Sequence, residues 1–277
     1  MTFDTTTPLR TLASLLVAAF VLGALPARAV DGVVEINQAA ALAGGVTLLD
    51  APGFPVTIAE RGSYRLTGEL NVPPDTNGID VGIDHVTIDL NGFTIFGGGG
   101  ASGVGIHAPF AVQSVRVHDG TVANMAGKGV HLAGSYQVVE DVTAKNNGAI
   151  GVDVGYHSVV RRSVAIENDG HGIALAFGGL VDACVASRNA GDGMRVTAGV
   201  ASRNSVVSND QYGIYAEAST LVVENAAISN DWAGIRAVSS AVALGGNAMN
   251  NNNSGGAEIS GSPVQVSGNA CAGSLCP

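Results

Sequence analysis

Asn168-Asp169-Gly170-His171-Gly172-Ile173-Ala174-Leu175 returns as Asn189-Ala190-Gly191-Asp192-Gly193-Met194-Arg195-Val196, and again as Asn209-Asp210-Gln211-Tyr212-Gly213-Ile214-Tyr215-Ala216. The three octets share one frame: asparagine, three variable residues, glycine, then an apolar residue on each side of a variable one. Followed outward, the glycine and its apolar neighbour recur as Gly105-Ile106, Gly129-Val130, Gly151-Val152, Gly234-Ile235 and Gly256-Ala257. Successive glycines are 24, 22, 21, 21, 20, 21 and 22 residues apart. The asparagine column extends to Asn147 and Asn230, four residues before their glycines. A third column, five residues ahead of an asparagine, reads Asp141, Ser163, Cys184, Asn204, Asn225 and Asn247. Self-similarity at a fixed period is the signature of a repeat architecture.

Within each unit the apolar residues alternate, as in Val130/Leu132, Val152/Val154 and Ile173/Leu175. Period two means strand. Further short apolar stretches follow at Gln137–Val139, Val159–Arg161 and Leu221–Val223. Two or three strands in so few residues leave no room for crossover helices. The expected solution is a coil of short strands, each stacked on its equivalent one turn later at ~4.8 Å, which is a parallel β-helix. Stacked asparagines, Asn147, Asn168, Asn189, Asn209 and Asn230, can then donate to one turn and accept from another. Asparagine tolerates left-handed backbone, and the same role is expected of the glycine after it.

Composition excludes other classes. Of 277 residues, 46% are apolar, 13% charged and 5% aromatic, with a net charge of −10. A disordered acidic chain would be less apolar. A nucleic-acid binder would be basic. Glycine, at 39 residues, lacks the every-third spacing of collagen. Residues 1–29 read as a secretory signal: Arg10, an apolar run from Thr11 to Leu25, then Ala27-Arg28-Ala29. Without Arg10, Arg28 and Asp4, the 13 basic and 23 acidic residues become 11 and 22, a net charge of −11. No second apolar stretch reaches the ~20 residues of a membrane span. A secreted or periplasmic monomer is expected. In that setting Cys271 and Cys276 are expected to pair in a terminal loop, leaving Cys184 as a small buried hydrophobe. The solenoid is expected over 30–277, with a cap and irregular first turns at 30–104, regular turns at 105–260 and a C-terminal cap at 261–277. The Ala-rich stretch Ile36–Ala43 reads as a capping helix.

The frame Asn-x-x-x-Gly-(Ile/Val)-x-(Val/Leu) resembles the right-handed parallel β-helix superfamily, the pectin-lyase-like fold. The stretch Val86-Thr-Ile-Asp-Leu-Asn-Gly-Phe-Thr-Ile95 is similar to the opening turns of exported bacterial β-helix repeat proteins. The resemblance implies an all-β, right-handed solenoid. Its members include pectate lyases, polygalacturonases, uronan epimerases and phage tailspikes, so fold alone names no activity. Gly170-His171-Gly172 resembles the Gly-His-Gly of polygalacturonases, but that family's Asn-Thr-Asp, Asp-Asp and Arg-Ile-Lys elements are absent.

The variable residue of each first strand is expected to point outward: His107, His131, Asp153, Ala174, Arg195, Tyr215, Arg236 and Glu258. The preceding turn adds Lys128, His171, Asp192, Tyr212 and Trp232. Tyr212, Tyr215 and Trp232 are candidates to stack on sugar rings. Arg195 and Arg236 are candidates to grip uronate carboxylates. His131, Asp153, His171, Asp192 and Arg195 are the candidates for proton transfer. The structural alternative is a solvated polar face. No cofactor is expected; a calcium beside the stacked Asp210 and Asp231 is the alternative. The expected partner is a polysaccharide or cell-envelope glycan. Regular turns without long walling loops favour a non-catalytic binding or structural role over a polysaccharide lyase, epimerase or hydrolase.

Overall fold

Three-residue strands with an in–out–in pattern can bury only every second side chain, so each turn must close around its own narrow interior. The computed structural model describes residues 32–276, which place thirty strands and one α-helix. The segment 1–29, read as a signal, falls outside the described residues. Each turn visits three faces. The first face is a sheet of ten strands, running from Val56–Ile58 through Val130–Leu132, Ile173–Leu175 and Met194–Thr197 to Ile259–Ser260. The second and third faces form one sheet of twenty strands, because Val115–Ala123 and Val138–Lys145 each run across the corner between them. Pairing is parallel throughout, except where Ala270–Cys271 meets Ser274–Leu275. The result is a parallel β-solenoid of about ten turns.

Register explains the period. Ile173, Ala174 and Leu175 pair with Met194, Arg195 and Val196, and these with Ile214, Tyr215 and Ala216. Flanking residues are buried: Ile173, Met194, Val196, Ile214 and Ala216 are fully enclosed. The capping helix is shorter than expected. Val33–Ile36 is a strand paired with Gly62–Leu66, and the helix covers only Gln38–Ala43. Asn37 ends the strand and caps the helix, its side chain accepting from the Ala40 amide at 3.0 Å.

The asparagine column is fully buried and fully bonded. In Asn147, Asn168, Asn189, Asn209 and Asn230 each Nδ2 donates to the Oδ1 of the next asparagine at 2.8–2.9 Å. Each Oδ1 also accepts a backbone amide from the turn before, and each Nδ2 reaches a backbone carbonyl of that turn. Asn252 continues the column, and the buried carboxylate of Glu258 ends it, accepting from Asn252 Nδ2 at 2.5 Å. Glu258 therefore does not belong to the outward column; Ser260 takes that place, paired with Arg236.

A second ladder runs through Asn204, Asn225, Asn247 and Asn269. Cys184 and Ser163 precede it, and the Ser163 Oγ accepts from Val142. Val142, not Asp141, thus stands in that column; Asp141 is exposed and pairs with Arg162 at 2.7 Å.

Two expected reasons for the pattern are corrected. The left-handed residue is not the asparagine but the one before it: Glu167, Arg188, Ser208 and Ser229 have φ of 57°, 52°, 56° and 56°. Nor do the repeat glycines adopt left-handed torsions. They are glycine because a Cβ on Gly172 would lie 2.7 Å from Asn189 Nδ2 and 2.6 Å from the Gly193 carbonyl oxygen. The glycine column makes room for the asparagine column.

Candidate polysaccharide-binding face

On the ten-strand sheet the alternation that buries the flanking aliphatics turns every middle residue outward. In register these are His107, His131, Asp153 and Ala174, then Arg195, Tyr215 and Arg236. The turns leading into the same strands place Lys128, His171, Asp192 and Tyr212 along one edge. Adjacent turns lie ~4.8 Å apart, so Asp153 and Arg195 stand roughly 10 Å apart with only Ala174 between them. The alanine floors a gap between two polar clusters.

The first cluster joins Lys128, His131 and Asp153. Lys128 Nζ lies 2.5 Å from Asp153 Oδ2, and His131 Nε2 lies 3.5 Å from the same oxygen. The His107 ring is 5.5 Å from that of His131. Burial pushes the His131 pKa down, Lys128 pushes it the same way, Asp153 opposes, and His107 adds a smaller downward push. His131 is therefore a neutral imidazole over a wider pH range than usual.

The second cluster joins His171, Asp192 and Arg195. The Asp192 amide donates to His171 Nδ1 at 2.9 Å. Asp192 Oδ1 accepts from the Tyr212 amide at 3.2 Å. The side chain is buried, and burial raises its pKa; His171, the Tyr212 amide and Arg195 oppose the rise, while Glu217 reinforces it. Arg195 Nη2 donates to Glu217 at 2.5 Å, and its guanidinium lies 4.7 Å from the Tyr215 ring centre. Glu217 was not singled out from sequence; its signal was its place two residues after Tyr215 in the same strand.

Beyond Arg195 the aromatics gather. Tyr212 lies 5.7 Å from Tyr215 and 4.8 Å, edge-on, from the half-exposed Trp232. Tyr212 and Trp232 wall a cavity of about 400 Å³ that reaches Ala257 and Ser260. Arg236 Nη1 donates to Ser260 Oγ at 2.8 Å. A larger cavity of about 680 Å³ at the C-terminal end of the solenoid adjoins the first, sharing Ala257, Ile259 and Gly261.

Metal-ligand geometry lies elsewhere. Among the described residues, one cluster, Asp89, His118 and Asp119, brings three such atoms within 4.8 Å of one another. It lies on the twenty-strand sheet, and Arg65 already occupies Asp89 at 2.8 Å. Asp210 and Asp231 are exposed and are not part of it. Cys271 and Cys276 are joined in the terminal loop. Cys184 is buried, and burial pushes its thiol up to about 11, which makes it inert.

Two overlapping segments, 74–210 and 102–243, match the family model for the right-handed β-helix region, together covering more than half of the chain. The chain belongs to the right-handed β-helix family. Its turns therefore wind right-handed. A double mutant of the periplasmic alginate epimerase AlgG shares the fold at a TM-score of 0.50, with 14% identity over 78% of this chain and 76% of that one. The A-module of Azotobacter vinelandii mannuronan C-5 epimerase AlgE6 is similar at a TM-score of 0.49, with 17% identity over 87% of this chain and 83% of that one. At these identities the likeness is one of fold. No curated protein matches the chain. No helix among the described residues is long and apolar enough to cross a membrane.

Proposed function

We propose that this β-helix is an exported protein that binds a uronate-containing polysaccharide along its ten-strand sheet and transfers a proton at the sugar C5, as a C-5 epimerase or a β-eliminating lyase. One observation carries the reading. A histidine whose pKa is lowered, beside a Lys–Asp pair, stands two turns before Ala174 on the ten-strand sheet, and a buried Asp whose pKa is raised, beside an arginine, stands one turn after it. Titratable groups pushed away from their ordinary values on one face mark candidate acid–base sites. The solved epimerases of this fold act on a polyuronate, which fits the chemistry. The purely binding role expected from the regular turns becomes the second reading, favoured by the exposed Tyr212–Trp232 wall.

The chemistry follows from the groups. A uronate over Ala174 pairs its carboxylate with Arg195, which has committed one of its five donors to Glu217. Neutralising that carboxylate acidifies C5–H. His131 takes the proton, and the bond's electrons move into the carboxylate. In epimerisation a proton from water returns to C5 on the other face, because Asp192 stands three turns, ~14 Å, along the axis from His131. In elimination the C4–O bond breaks and the leaving oxygen takes that proton. Solvent exchange then resets His131.

The test is incubation with polymannuronate and polygalacturonate in D2O. Deuterium at C5 indicates epimerisation, and ultraviolet absorbance of an unsaturated product indicates elimination. His131→Gln is expected to cost 10²–10⁴-fold in turnover, the usual worth of a general base. Arg195→Ala is expected to abolish it with the fold intact. The pH profile carries a sign. Activity needs His131 neutral, and burial holds its pKa below the ordinary range. The rate is therefore lost as pH falls through that lowered pKa, further on the acid side than for an ordinary histidine. Retention by a polymer with no exchange and no product would leave the binding role alone.

A further inference from the structure

The edge of the ten-strand sheet opposite Tyr212 and Trp232 carries a second line of rings. Four consecutive strands of that sheet are each followed by a turn with an exposed aromatic. Phe110 follows Ile106–Ala108, Tyr136 follows Val130–Leu132, Tyr156 follows Val152–Val154, and Phe177 follows Ile173–Leu175. They are 67%, 56%, 42% and 51% exposed. Tyr136 stacks on His157 at 5.8 Å, and His157 meets Phe177 edge-on at 6.4 Å. Phe110 meets Tyr156 edge-on at 5.9 Å.

The turn does not need these rings. Tyr136 and His157 hold the left-handed corner position, with φ of 60° and 52°, and two later turns put Ala198 and Ala218 there at 48° and 52°. Clustered rings left in water mark a contact surface. Their shape selects the partner. Three turn-to-turn steps make a strip roughly 14 Å long along the axis. Four half-exposed rings offer roughly 400 Å², against the ~800 Å² per partner of a stable protein interface. A sugar chain is linear, with apolar ring faces and polar edges, and tyrosine and histidine meet both needs. The strip also runs beside the turns that carry His131, Asp153 and Ala174, on the far side of that gap from Trp232.

We propose that the Phe110–Phe177 strip is the distal half of a polysaccharide path that crosses the ten-strand sheet obliquely, from this edge over Ala174 to Tyr212 and Trp232. The inference rests on the reading of that sheet as a polyuronate face and adds where the chain enters. A long chain engages both aromatic platforms, and a short oligomer over the gap misses the strip.

The experiment is native electrophoresis through gels containing alginate or polygalacturonate, using the Tyr136→Ala/Phe177→Ala double variant, with light scattering as control. Ala198 holds the corner that Tyr136 holds, and Thr197 holds the place before it that Phe177 holds, so neither turn needs a ring and the variant is expected to fold. Retention is expected to weaken about tenfold, from two lost stacking contacts. Equal retention of variant and parent overturns the strip while the polyuronate reading stands. A parent that migrates freely through every gel overturns both. A dimer that becomes monomer in the variant, with retention kept, assigns the rings to a second copy and overturns the sugar path.

Discussion

The same turns carry two stacked columns of opposite character. Inside, Asn168, Asn189 and Asn209 repeat one residue with one bonding pattern. Outside, Ala174, Arg195 and Tyr215 share no chemistry at all. The buried column has no freedom, because each amide is simultaneously donor to the next turn and acceptor from the last. The exposed column touches solvent, so any side chain that keeps the strand paired is tolerated. Invariance therefore reports the physics of stacking, and variation reports where selection for binding or chemistry can act.

The largest test of this contrast is Asn189→Ala. It removes four hydrogen bonds: two donated by Nδ2, to Ala165 and Asn209, and two accepted from Asn168. Buried partners left unpaired cost ~1–3 kcal/mol each, so a loss on the order of 5 kcal/mol is expected from denaturant unfolding. Arg195→Ala on the same turn loses a partly exposed ion pair with Glu217 and a contact with the Tyr215 ring, and should cost about 1 kcal/mol. Comparable losses for the two variants would refute the division into a rigid inner column and a free outer one.

The second test is Gly172→Ala. The added Cβ would press on the Asn189 amide and on the Gly193 carbonyl oxygen, and the backbone oxygen cannot rotate away. Overpacking of this kind costs ~1–3 kcal/mol. Gly178→Ala makes the comparison sharper. That glycine does adopt a left-handed torsion, 83°, but an added Cβ would meet chiefly the His157 ring, a side chain that can move. A larger loss at Gly178 than at Gly172 would restore the torsional explanation.

That explanation marks the limit of what was legible in advance. Period and alternation revealed the solenoid, because each is imposed by stacking and leaves one letter per turn. The cause of the glycine column was hidden, since close approach and left-handed torsion select the same residue. The outward column was readable as a list, but not as two clusters. The pairing of Lys128 with Asp153 and of Arg195 with Glu217 depends on side-chain reach between neighbouring turns. The Phe110–Phe177 strip was missed because its rings lie in turns outside the repeated octet, although Phe110, Tyr156 and Phe177 each stand two residues after their strand.

The smallest expected effect is a gain. Cys184 occupies the second ladder one turn before Asn204, donating its amide to Asn204 Oδ1 at 2.9 Å. Its sulfur accepts only weakly from the Ser163 amide, at 3.5 Å. Asn204 in the same setting sends Nδ2 to Asn225 Oδ1 and to the Val181 carbonyl, and the register pairs Val181 with Val160. Cys184→Asn should therefore extend the ladder by one step, with new bonds to Asn204 Oδ1 and the Val160 carbonyl and a stronger acceptor for Ser163. The net worth of such bonds is ~1 kcal/mol, because water is exchanged for protein partners. A rise of that size in unfolding free energy would show that the column is limited by its residues and not by its backbone. A loss would show that the first step of this ladder lacks the room that Asn204, Asn225 and Asn247 share, and that the turn at Cys184 is shaped for sulfur.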